Sequence, residues 1–118
     1  MPHCIIEYAQ DVERRVPVDR LLEAVHQGAL ASGLFREEDI KTRALPYRHY
    51  RVGRARTDFI HVTVRLLSGR TAEQRAALSQ SVLNALQGLG LTMISLTVEI
   101  QEIERESYAK AVVGGAPE

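Results

Sequence analysis

The chain is short of cysteine, of net charge and of long apolar runs. Cys4 is its one cysteine, so no internal disulfide can form and no cysteine-based zinc site is available. A reducing compartment fits that usage. Fifteen basic side chains balance fifteen acidic ones. A generic polyanion binder is disfavoured, because counterion release needs a net basic surface, and no nucleic-acid partner is expected. No apolar run approaches the roughly 18 residues of a membrane span, and the N-terminus does not have the form of a signal peptide. No membrane partner is expected, and a soluble cytoplasmic protein is. No low-complexity segment occurs.

What remains is 118 residues, 45% hydrophobic and 25% charged, the composition of one ordinary globular domain. Residues 3–8 read as a strand that starts almost at the terminus, and Gln10 to Arg15 reads as a polar loop. Pro17 suits a first helical turn. After it Val18, Leu21, Leu22, Val25 and Ala29 recur at helical spacing, with Gly33 as the stop. A second strand is expected over 39–47, and Arg48 to Asp58 is a basic connection. From Phe59 to Leu67 the pattern alternates, with Ile60, Val62, Val64 and Leu66 on one side and His61, Thr63 and Arg65 on the other. Ser68-Gly69-Arg70 breaks it. Thr71 and Gln74 have capping-box spacing, in which each side chain satisfies the other's backbone donor. Leu78, Val82, Ala85, Leu86 and Leu89 form the next stripe, closed by Gly88 and Gly90. Residues 93–103 give a fourth strand.

The order is β-α-β-β-α-β, an α+β fold with two helices on one face of a four-stranded sheet. Each helical crossover is long enough to join parallel strands. The domain is expected over 2–103, with 104–118 as a C-terminal tail and disorder confined to the last dozen residues. The second sheet face is polar, for water or other subunits to cover.

The residue with the most chemistry is Pro2. Proline after an initiator methionine is usually exposed by removal of that methionine, which leaves a secondary amine at the terminus. Such an amine titrates near neutrality, and nearby cations or partial desolvation lower it further. A base poised there suits proton abstraction beside a carbonyl. With Met1 retained, the nitrogen is acylated and this chemistry is lost. His3, His26 and His61 lack the spacing of a metal site, so no metal is expected. Arg48, Arg51, Arg54 and Arg56, with Tyr47, His49 and Tyr50, form either a solvated hairpin or an anion-attracting rim. The strand order also matches RNA-binding ferredoxin-like domains, yet Phe59 to Leu67 shows no cluster of stacking aromatics.

Met1-Pro2-His3 with an apolar strand to Glu7 resembles the 5-carboxymethyl-2-hydroxymuconate isomerase family of the tautomerase superfamily. So do Gly33-Leu34-Phe35 before Ile40-Lys41-Thr42-Arg43, then Phe59-Ile60-His61-Val62, Ser68-Gly69-Arg70 and Val98-Glu99-Ile100. The resemblance covers residues 2–103. It implies a tautomerase-like fold with a mixed sheet, a homotrimer, no cofactor, and a small-molecule carboxylate substrate of aromatic catabolism. By position Pro2 is the proton shuttle and Arg70 a carboxylate ligand. A second family arginine falls at Lys41, with Arg43 beside it. Arginine grips a carboxylate with a planar fork and lysine with a point charge, so the second anion contact is open between them. Cys4 stands where the family has an aromatic, and Tyr50 near a family tryptophan, which makes Tyr50 a candidate substrate contact. The expected activity is a cofactor-independent isomerase or tautomerase. The alternatives are a decarboxylase or hydratase of the same superfamily, and a non-catalytic oligomeric binding protein on the same fold.

Overall fold

A computed structural model describes residues 1–114. Strand β1 spans His3–Ala9, helix α1 Val18–Ala31, β2 Lys41–Tyr47, β3 Asp58–Leu67, α2 Ala72–Gln87 and β4 Ile94–Ile103. The sheet runs β2-β1-β3-β4. Strands β1 and β2 are parallel, as are β3 and β4, and β1 meets β3 antiparallel. Each parallel pair is joined through one helix, and the two β-α-β halves meet at the β1–β3 seam.

The period-2 pattern places the core. Cys4, Ile6 and Tyr8 from β1, and Ile60, Val62, Val64 and Leu66 from β3, point to one face and are buried there. Leu21, Val25 and Ala29 of α1, with Leu78, Val82 and Leu86 of α2, close over them. Ile94, Leu96, Val98 and Ile100 of β4 pack on the margin of that core.

The helices touch closely at Gly28. A Cβ there would lie 2.8 Å from the Val82 Cα and 3.1 Å from the Ala85 Cβ. Ser81 Oγ donates to the Gly28 carbonyl at 2.7 Å, a contact that the absence of a side chain permits. Helix α2 begins with the expected box: Gln74 N donates to Thr71 Oγ1 at 3.1 Å, and Thr71 N to Gln74 Oε1 at 2.9 Å.

Several boundaries differ from expectation. Gln10–Arg14 is a 3-10 helix rather than a plain loop, and it buries Val12. Tyr8 donates to Glu13 Oε2 at 2.6 Å, which ties this turn back to β1. Pro17 stands outside α1, at the N-cap, with an extended ψ of 143°. Glu37–Asp39 is a 3-10 turn, so β2 starts at Lys41 and not at 39. Met93 has φ 54°; that left-handed backbone cannot pair in a ladder, so β4 starts one residue later than the pattern suggests. Residues 115–118 of the expected tail lie outside the described residues. No helix among the described residues is long and apolar enough to cross a membrane.

Candidate active site

Parallel pairing of β1 with β2 begins beyond the strand itself. Lys41 N donates to the Pro2 carbonyl at 3.0 Å, so Pro2 is held in the ladder and its ring is buried. Met1 is pushed outward into a cleft of about 440 Å³, whose walls include Phe35, Leu66, Arg70, Arg105, Tyr108 and Lys110. The charged side chains on its lining are Arg36, Arg70, Arg105 and Lys110 against Asp39 alone. The N-terminal amine is held below its ordinary value, first by burial and then by Lys41, with Asp39 opposing and Lys110 adding to the effect. The physical cause is plain: a second positive charge is costly in a half-buried cationic cleft.

Arg70 leaves β3 through Gly69, whose φ of +126° turns the chain. Its Nη2 donates to the Leu34 carbonyl at 2.7 Å. That bond pins the guanidinium at the cleft wall and leaves its other N–H donors for a ligand. The carbonyl of Arg70 accepts from Arg75 Nη1 at 2.7 Å, so the start of α2 braces the loop.

The remaining candidates are distributed differently. Lys41 Nζ donates to the Asp39 carbonyl at 3.0 Å, near the N-terminal amine that its charge depresses. Arg43 is on the open sheet face, with Nη1 donating to His3 Nδ1 at 3.1 Å. Tyr50 does not line the Met1 cleft. It packs edge-on against Phe59, lies under the Arg56 guanidinium at 5.0 Å, and shares a second depression with His49, Arg51, Arg54 and Arg56. That basic segment is an ordered hairpin, closed by a bridge between Val52 and Ala55 and turned at Gly53 with φ +62°. Within one chain the fold therefore sets Met1 and Arg70 on one cleft, with Pro2 buried directly behind Met1 and Lys41 near the terminal amine, and sets Arg43 and Tyr50 on other surfaces.

Several other titratable groups are engaged in structure. His26 meets Glu37 at 2.8 Å, and His61 meets Thr97 and Glu99, both at 2.7 Å. Burial pushes the Cys4 thiol up to about 11, so it stays protonated and is no nucleophile. Tyr47 donates to Glu7. No group of three His, Cys, Asp or Glu converges among the described residues. Sequence reasoning missed Arg105, Tyr108 and Lys110 of the cleft. They follow β4 in a segment with no periodicity, and only the path of the chain brings them to the terminus.

Solved structures of low sequence identity share this fold. A 5-carboxymethyl-2-hydroxymuconate isomerase from Deinococcus radiodurans R1 superposes with a TM-score of 0.79 at 20% identity, over 93% of this chain and 88% of that one. A 5-carboxymethyl-2-hydroxymuconate delta-isomerase gives 0.76 at 16% identity, over 97% and 89%. A fused 4-OT wild-type symmetric trimer gives 0.69 at 20% identity, over 97% and 92%. No curated protein sequence matches the chain. The structural likenesses define the class as the tautomerase fold. The chain matches the 5-carboxymethyl-2-hydroxymuconate isomerase family over residues 2–113 and belongs to it, which makes it an isomerase.

Proposed function

We propose that the chain is a cofactor-independent tautomerase acting on an unsaturated 2-hydroxy or 2-oxo carboxylate of the 5-carboxymethyl-2-hydroxymuconate type. The base is the Pro2 nitrogen, freed by removal of Met1. One observation carries this reading: Met1 lines a cation-rich cleft and is joined to Pro2 by the peptide bond that processing would cut. Its loss opens the cleft and turns an acylated nitrogen into an amine at the same spot. That amine would meet burial and the charge of Lys41, the influences that depress the Met1 amine, and both disfavour its protonated form.

In the reaction, Pro2 takes the proton from the 2-hydroxy group as electrons shift toward the vinylogous carbon. The protonated proline then returns it to that carbon, leaving a 2-oxo acid. Atoms and charge balance without a further reactant. Arg70 holds one carboxylate by hydrogen bonds to its free N–H donors and stabilises the dienolate. Lys41 supports anion binding close to the terminus. Arg43 and Tyr50 act on substrate across a subunit boundary in a homotrimer. The polar open face of the sheet supports such an assembly, as does the trimeric state of the fused 4-OT relative.

The test begins with the intact mass of the purified protein, which reads whether Met1 is gone. Turnover of 2-hydroxymuconate is then followed in the ultraviolet. Pro2→Ala is expected to lower kcat/KM about 100-fold or more with the fold retained by circular dichroism. Full activity in that variant, or a mass that retains Met1 in an active enzyme, overturns Pro2 as the base.

A further inference from the structure

After β4 the chain forms one wall of the cleft and is fastened at three points. Arg105 Nε donates to the Ser68 carbonyl at 2.6 Å. Lys110 Nζ meets Asp39 Oδ1 at 3.3 Å. Between them the Tyr108 hydroxyl lies 3.0 Å from His3 Nε2, with the two rings edge-on and their centroids 6.1 Å apart. All three side chains line the cleft that holds Met1.

The direction of these bonds follows from the donors. A guanidinium has only N–H donors, so at 3.1 Å from Arg43 Nη1 the His3 Nδ1 must accept. A neutral imidazole then carries its single proton on Nε2. His3 is kept neutral by burial first, and then by the charges of Arg43, Lys41, the terminal amine and Arg65. Its Nε2–H therefore donates to the Tyr108 oxygen. The hydroxyl accepts from His3 and keeps its own hydrogen, and His3 is its side-chain partner among the described residues.

We propose that Tyr108 is a substrate-contacting residue: the hydroxyl hydrogen left free by His3 donates to an anionic oxygen of the substrate in the Met1 cleft. His3, oriented by Arg43, is the positioning residue that fixes this direction. The proposal rests on the cleft being the active site. It gives the C-terminal segment a chemical part, because the strap delivers a neutral, directional donor among the cations Arg36, Arg70, Arg105 and Lys110. It also gives Arg43 a task in its own chain, at second hand through His3.

Two probes separate this claim from the reading of the site. One is 2-hydroxymuconate for turnover; the other is the cis,cis-muconate dianion, with binding read by calorimetry. Tyr108→Phe removes only the hydroxyl and is expected to cost about 10- to 100-fold in kcat/KM and in muconate affinity, the value of one hydrogen bond to a charged group. His3→Gln keeps an acceptor for Arg43 and a donor for Tyr108, and stays within a few-fold of the parent. His3→Leu falls as far as Tyr108→Phe, and the double variant falls no further. Unchanged turnover and affinity in Tyr108→Phe, or equal losses in His3→Gln and His3→Leu, overturn the proposal. If Pro2→Ala and Arg70→Ala keep full turnover while Tyr108→Phe loses muconate binding, the base assignment fails and Tyr108 stands. The nitrogen resonances of His3 give a readout that needs no activity: a proton on Nδ1 instead of Nε2 overturns the proposal outright.

Discussion

On the helix side of the sheet Cys4, Ile6, Val62 and Val64 are fully buried and meet only apolar neighbours. One residue along the same strands, the other side carries His3, Glu7, Arg43, His61, Thr63 and Glu99, held by hydrogen bonds between side chains. The first face is held by burial, which is non-directional and tolerates no water. The second is held by pairing of polar groups that stay partly hydrated. Such pairs add little to the stability of one subunit, so they are free to serve recognition and chemistry. The contrast explains why the candidate site grows from the edge where the two faces meet, at the start of β1, and not from the core.

The sharpest break of this comparison uses neighbours on β1. Ile6→Ala empties a fully buried position and is expected to cost about 2–5 kcal/mol, read by urea unfolding. Ile5→Ala, on the other face, is expected to cost far less in a dilute subunit and to show its effect in the concentration dependence of assembly. Equal losses from both substitutions in a monomer would erase the distinction between the faces.

Next in size is Gly28→Ala. A new methyl would press on the Val82 backbone at 2.8 Å and on Ala85 at 3.1 Å. The helices must part, at about 1–3 kcal/mol, although alanine is the better helix former in isolation. A rise in melting temperature would show that the two helices are looser than the structure has them.

The smallest effect is a pH dependence from the open face. The unfolded chain protonates His3 near its ordinary value of 6.5, whereas in the folded chain burial and then the charges of Arg43, Lys41, the terminus and Arg65 hold that value lower. Tyr108 is the remaining titratable group against the ring. The unfolded state thus binds more protons in the interval between the two values, and stability is lost as pH falls through that interval. Above about pH 6.5 the contribution is complete. Unfolding free energy is expected to fall modestly between about pH 7 and pH 5, and His3→Gln to flatten that part of the curve.

Much of this was legible in the chain. Alternation in 59–67 sorted the β3 side chains into their two faces, because a strand has period 2. The stripes of α1 and α2 and the box at Thr71 were equally local. The 3-10 turn at Gln10–Arg14 was not, since five residues are too few to show a period and only Val12 betrays a buried side. Gly28 reads as a weak point in a helix until the second helix is set against it. At the site, Pro2 and Arg70 were marked by position and residue type. Tyr108 was not, because it sits 105 residues from its partner His3.

By itself the sequence determined the two β-α-β halves, the apolar face and a proline at position 2 next to a strand, all consequences of short-range periodicity and covalent order. Only the tertiary structure decided that Met1 and Arg70 share one cleft, that Arg105, Tyr108 and Lys110 from beyond β4 join its walls, and that Arg43 meets His3, which in turn meets Tyr108. Those are contacts between residues far apart in the chain, and they exist only once burial of the common core has brought the edges of the sheet to one place.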